Sequence, residues 1–240
     1  MFRAPYLVLW LLLFCGPARA GWVLSLYTGV SHTFASDLSV SQSATRSQAT
    51  FEGVSWAPHP YSQGAPYYGL RISYFAGRAD HLGAALDYTH YKMYLQTADS
   101  VHVQGIWNGT PVNAFAPLAQ RVQRLEIAHG VNLASLNAVY RFNPDFAKGR
   151  WDAHAGAGLL VYVPHSDGVI DGVGVNERYQ YGGAGGQLFA GTEYKLLQHV
   201  ALMLEGKFDA GSVDIDLDPS TRIHTQVRSV HLFGGVALHF

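Results

Sequence analysis

Two histidines stand apart from the other ten in this chain of 240 residues. His90 is followed two residues on by Lys92, and His129 three residues on by Asn132. Lys207 and Asp209 repeat the two-residue spacing further along. Imidazoles titrate near neutral pH and ligate metals, lysines hold phosphate by charge, and carboxylates complete ligand sets. Brought together, these six side chains could bind a phosphorylated sugar or a metal ion. His90, His129 and Asn132 are the catalytic candidates. His90, His129 and Asp209 are the candidate ligands of a divalent or redox metal, and Lys92 and Lys207 the candidate substrate contacts.

Other chemistries fail on spacing. Asp214-x-Asp216-x-Asp218 opens like a calcium loop, but Pro219 stands where glycine is needed and Thr225 where the closing glutamate belongs. A divalent ion held loosely between these carboxylates is the alternative to a solvated loop. The Gly-rich run from Gly182 to Gly186 has no lysine and opens no helix, so it is no phosphate loop. No G-x-S-x-G elbow is present, nor any flavin or nicotinamide fingerprint.

Such residues need strands to carry them. From Ile223 to Phe240 the chain alternates, with Val230, Leu232, Val236 and Leu238 on one face. His231, Phe233, Ala237 and His239 fall on the other, the period of a strand. A terminal Phe240 closing an alternating strand resembles the C-terminal signature of bacterial outer-membrane barrels, which implies that the assembly machinery reads it. The other end agrees. Arg3, an apolar run from Tyr6 to Cys15, and Ala18-Arg19-Ala20 form a signal peptide over 1–20, with Gly21 beginning the mature chain. That run is too short to span a bilayer as a helix.

The 220 residues that remain suit one domain and contain no cysteine, which excludes a disulfide framework and thiolate metal sites. They carry 14 basic and 17 acidic residues, a net charge of −3, so no basic patch invites nucleic acid. No later segment has the apolar length of a membrane helix. A membrane-spanning reading therefore requires a closed barrel.

Taken in order, eight strands are predicted. They begin at Trp22, Tyr68, Leu82, Asn132, Trp151, near Gln187, at Val200 and at Ile223. Three short turns (Gly77 to His81, Asn143 to Asp145, Leu196 to His199) alternate with four long connections, as in an outer-membrane barrel. Ser36 to Ala65 reads as an extracellular extension able to pair as a hairpin, and Asn108-Gly109 as a hairpin tip. A polar loop is expected before the last strand. The fold class is an all-β, eight-stranded antiparallel transmembrane barrel with long extracellular loops, a monomer of the bacterial outer membrane.

An eight-stranded lumen is filled by side chains, so no open pore is expected. Arg71, Asp87, Arg141, Asp152, Glu193, Glu205 and Lys207 should face inward as a paired network, since lone buried charges are costly. A site for an outer-leaflet substrate then belongs at the rim, where His90, Lys92, His129 and Asn132 end neighbouring strands. Parity places His90 and Lys92 outward and His129 inward, so their convergence requires a bulge or twist near the strand tops. The alternative is a polar girdle that touches lipopolysaccharide phosphates without chemistry.

Pro66-Tyr67-Tyr68-Gly69-x-Arg71, Thr89-His90-x-Lys92 and Gly130-Val131-Asn132 running to Tyr140-Arg141-Phe142 resemble the lipid A oxidase family of small outer-membrane barrels. Phe51-x-x-Val54-x-Trp56 and Glu205-x-Lys207 fit the same pattern. The resemblance implies oxidation of the proximal glucosamine of lipid A to 2-aminogluconate by dioxygen. It adds Tyr68 and Arg71 to the expected substrate contacts. The sequence departs from the family in its long second loop and in the order Ile223-His224-Thr225-Gln226. Two other classes compete: a non-enzymatic structural or adhesive barrel, and an enzyme acting on lipid A acyl chains. The last would need a nucleophilic serine, yet His129 precedes Gly130-Val131-Asn132 and not the His-x-Ser-Asn pattern of deacylases.

Overall fold

A computed structural model describes residues 21–58, 66–77, 81–127, 130–143, 150–174 and 178–240. The expected signal peptide lies outside these residues. Among the described residues the strands are β1 (Gly21–Thr33), β2 (Ser36–Gln42), β3 (Ser47–Val54), β4 (Trp56–Pro58), β5 (Tyr68–Phe75) and β6 (Leu82–His90). They continue as β7 (Met93–Leu95), β8 (Ser100–Trp107), β9 (Thr110–Pro117), β10 (Val122–Ile127), β11 (Leu133–Arg141) and β12 (Trp151–Tyr162). The last five are β13 (Asp167–Ile170), β14 (Val173–Gly174), β15 (Gly183–Leu197), β16 (Val200–Asp218) and β17 (Thr221–His239).

Eight of these close a barrel: β1, β5, β6, β11, β12, β15, β16 and β17 pair in that order, and β17 returns to β1. Every pairing is antiparallel, and Tyr27 sits opposite both Gly69 and Gly235. These are the eight strands expected from the alternation. Their outward residues are apolar: Leu86, Leu136, Leu188, Leu204 and Leu232 are each more than half exposed. Such a surface is stable only against lipid. Near the short turns, Trp22 packs on Tyr74 at 4.8 Å and Trp151 on Tyr194 at 4.9 Å, forming an aromatic girdle at one membrane interface.

The long connections fold further than expected. β16 and β17 each run 19 residues, about twice what crosses a bilayer, and their upper halves project past the barrel. The polar loop expected between them is instead a continuation of the ladder, turned by Pro219 and Ser220 alone. Asp218 caps this turn by accepting the Ser220 amide at 2.6 Å. Inward alternation of Val213, Ile215 and Leu217 against Ile223 and Val227 keeps the strands going.

On this projecting edge β17 pairs with β2, and β3, β8 and β9 extend the sheet. The two hairpins expected here are present, the second turned by Asn108 and Gly109 at φ 51° and 72°, the left-handed pair that a tight hairpin requires. A second sheet, in the order β14-β13-β10-β7-β4, lies beside the first. Leu38, Phe51 and Val103 of one share an apolar core with Met93, Leu125 and Ile170 of the other. The alternation from Leu82 predicts a third strand running to about Leu95, but the wall strand stops at His90 and Met93–Leu95 joins this second sheet.

Candidate functional site

The lumen holds most of the titratable residues. Arg71 donates to both oxygens of Glu205, at 2.6 and 2.7 Å, and to Asp87 at 3.0 Å. Lys207 donates to the same Asp87 at 2.7 Å and to Thr89 at 2.9 Å. The Tyr27 hydroxyl also donates to Asp87, and His154 bridges to Glu205 at 2.8 Å. Nearer the short turns Glu193 pairs with His239 at 2.8 Å, Asp152 accepts the Asn143 amide, and Arg141 lies over the Phe75 ring. One group of charges thus sits high in the lumen and another low. Toward the upper end, Asp209 accepts from His231 and, at 3.0 Å, from the Tyr162 hydroxyl.

This packing locates four of the expected site residues. Arg71 and Lys207 are enclosed and already paired with carboxylates. Asp209 faces inward, whereas His90 belongs to the outward set of β6. His90 and Asp209 therefore occupy opposite faces of the wall and do not share a ligand set. Among the described residues no group of three His, Cys, Asp or Glu side chains could hold a metal ion. His129 lies outside the described residues.

The outward face of the upper wall gathers a different cluster. Tyr68 and His90 are register partners on β5 and β6, and their rings stack at 4.6 Å with 20° between planes. The Nδ1 proton of His90 is donated to Oδ1 of Asn132 at 2.9 Å, and the Tyr88 hydroxyl donates to the same oxygen at 2.7 Å. The Asn132 amide nitrogen donates to the carbonyls of Gly130 and Val163 at 3.0 and 3.1 Å. His90 and Asn132 are both buried, and Tyr68 is the more exposed ring of the cluster.

Asn132 is in phase with Ala134 and Leu136, the outward set of β11, so it meets His90 without a change of parity. The chain enters β11 through Gly130 at φ 108° and Asn132 at φ 47°. A side chain at 130 would also meet the His90 ring, 2.3 Å from where its Cβ would stand. Lys92 follows β6, half-buried and in no ion pair among the described residues. The structure thus brings His90, Asn132 and Tyr68 together and adds Tyr88. The inward His154 and His231, given no role from the sequence, prove to be partners of lumen carboxylates. Their parity on β12 and β17 was the available signal.

Below the cluster, Leu70, Leu86, Leu136, Leu159 and Val161 border an apolar groove of about 670 Å³ on the lipid-facing wall. Small residues at Ala134, Ala184 and Gly185 form part of its lining. The three acidic residues of the calcium-like run share the outer face of β16 but are already engaged. Asp214 pairs with His224, Asp216 with Arg222, and Asp218 caps the turn.

No protein-family model matches this chain. No curated protein matches it. Solved structures do: the chain is similar to the outer membrane protein OprG from Pseudomonas aeruginosa, at 12% identity and a TM-score of 0.51. That likeness covers 93% of this chain and 97% of OprG. Neisserial surface protein A aligns at 15% identity over 92% of this chain and 99% of its own, with a TM-score of 0.46. The closed ladder, the apolar exterior and the OprG likeness define an eight-stranded β-barrel of the bacterial outer membrane. Its extracellular connections are folded into two layers.

Proposed function

We propose that this barrel binds lipid A of the outer leaflet against its upper wall and oxidises the proximal glucosamine to 2-aminogluconate with dioxygen. The observation that supports this reading is the outward cluster of His90, Asn132, Tyr68 and Tyr88 directly above an apolar groove. An amphipathic lipid meets the wall in that order, sugar at the rim and acyl chains below. In this reading His90 and Asn132, both buried behind the half-exposed Tyr68 ring, are the imidazole and amide of the site, and Lys92 supplies charge for a phosphate. Arg71 and Lys207 serve this reading as supports of the wall from inside. Dioxygen reacts slowly with a sugar unless a metal or organic cofactor assists, and the described residues do not fit a metal.

The test is the mass of lipid A from a host that lacks the protein and is given it, grown with and without air. Gain of one oxygen atom only in air supports the oxidase. Loss or gain of an acyl chain selects an acyl-modifying enzyme. Unchanged lipid A beside a correctly assembled barrel removes the enzymatic reading. A structural or adhesive barrel would then stand, a reading favoured by the apolar-cored layers that the chain presents outside the membrane.

A further inference from the structure

The outer face of the projecting sheet carries polar side chains in register. Register aligns Ser41 with Gln48, and Ser39 with Thr50 and then Gln104, across β2, β3 and β8. These five side chains line a concavity of about 440 Å³, closed at one end by Arg222 and His224 of β17. Ser39 and Thr50 share a hydrogen bond at 3.1 Å, and the Gln48 and Gln104 amides on either side of Thr50 add donors and acceptors to the same face. At its end Arg222 is paired with Asp216 at 2.6 Å, and the His224 ring is hydrogen-bonded to Asp214 at 3.0 Å. The charge of Arg222 is thus matched where it stands.

The neighbouring strand adds one apolar group. Phe115 of β9 is 78% exposed, and its ring lies 5.3 Å from that of His102. His102 faces Phe115 across the β8–β9 ladder, two residues from Gln104, and is held by Asn113 at 2.7 Å and Glu52 at 3.1 Å. An exposed ring this large beside a polar floor is a platform for the C–H face of a sugar. Diagonal neighbours across a ladder are about 7–8 Å apart, the span of one pyranose ring from Gln104 to Phe115.

We infer that this face binds a neutral oligosaccharide, hydroxyls on the Ser39, Thr50, Gln48 and Gln104 floor and one ring against Phe115. The inference is independent of any chemistry at His90, which lies on another wall. It is tested by calorimetry on the full-length protein in detergent micelles, titrated with maltohexaose, cellohexaose and mannohexaose, and separately with dextran sulfate. Binding of at least one neutral hexasaccharide, weakened at least tenfold in both Phe115→Ala and Gln104→Ala and unchanged in His90→Ala, is the expected result. Retained heat-modifiability on gels shows that the barrel is assembled, and resistance of the long connections to limited proteolysis, equal to that of the unsubstituted protein, shows that the projecting sheet is folded in each variant. Absence of binding by all three neutral sugars, equal binding in the variants, or salt-sensitive binding of dextran sulfate alone would each overturn it.

Discussion

The lumen and the extracellular layers are built on opposite rules, and two strands pass through both. Within the barrel, inward β16 residues are Glu205, Lys207 and Asp209, and outward ones are Leu202, Leu204 and Phe208. Past Gly211 the inward set becomes Val213, Ile215 and Leu217, and the outward set Ser212, Asp214 and Asp216. β17 reverses at matching height, from inward Ser229 and His231 to inward Ile223 and Val227. Parity never slips. What changes is the solvent: lipid outside the barrel demands apolar groups there and leaves polar ones to pair inside, whereas water outside the layers demands the reverse. The point of reversal marks the membrane surface along each strand.

Breaking the lumen should do the most damage. Asp87→Ala removes the carboxylate shared by Arg71 and Lys207, both buried. Removing one partner of a buried pair costs about 3–5 kcal/mol, because Lys207 is then left without water or its carboxylate, while Arg71 keeps Glu205. The variant should unfold at clearly lower urea in liposomes and lose heat-modifiability. Asp87→Leu with Lys207→Met should recover much of that loss, because both charges leave together. If the single and double variants are equally unstable, the network contributes no more than shape.

The layers should fail separately. Phe51 is fully buried between the two sheets, and Phe51→Ala should cost about 3–5 kcal/mol of their stability. The cost falls on an element the lipid does not hold, so limited proteolysis should cut the long connections while the barrel keeps its gel shift. Loss of both together would mean that the layers and the barrel fold as one unit.

The rim should matter less to stability than to chemistry. His90→Ala leaves the Asn132 amide bound to Tyr88, Gly130 and Val163, and should cost about 1 kcal/mol. Under the oxidase reading the same change should abolish the gain of oxygen on lipid A. Gly130→Ala should act similarly by displacing the ring, whereas Lys92→Gln should weaken lipid binding without altering the wall. Full activity in His90→Ala would remove His90 from the chemistry.

Much of this was legible from period alone. The eight wall strands, their facing and the Asn108-Gly109 turn follow from alternation and turn chemistry, which are local. The layers were less legible because their strands pair across long separations: β17 with β2, β3 with β8, β10 with β13. The continuation of β16 past Asp209 was legible in principle. Val213, Ile215 and Leu217 kept the period, but a run bearing Asp214, Asp216 and Asp218 looks like a loop unless the reversal of solvent is considered. At the rim, residue types pointed to His90 and Asn132. The left-handed backbone at Gly130 and Asn132 has no periodic signal, and Tyr88 entered only through its hydrogen bond.

The smallest effect belongs to the tip of the β16–β17 hairpin, where charge lies outside and water screens it. The Arg222 guanidinium, hydrogen-bonded to Asp216, holds that carboxyl below its ordinary value of 3.8. A carboxyl whose folded pKa is depressed adds stability that is complete above its unfolded pKa and lost as pH falls through the folded one. The ladder from Asp216 to Arg222 should therefore keep its hydrogen-exchange protection factors from neutral pH down to about pH 4 and lose part of them below it. Asp216→Asn should show lower protection at neutral pH and a flatter profile in acid. About 0.5 M salt should shrink the difference between the two proteins, since exposed pairs are screened. The lumen pair Asp87 and Lys207 should be indifferent to the same salt, because no solvent reaches it. Equal salt sensitivity at both places would contradict the division between a lumen that pairs its charges away from water and a surface that leaves them in it.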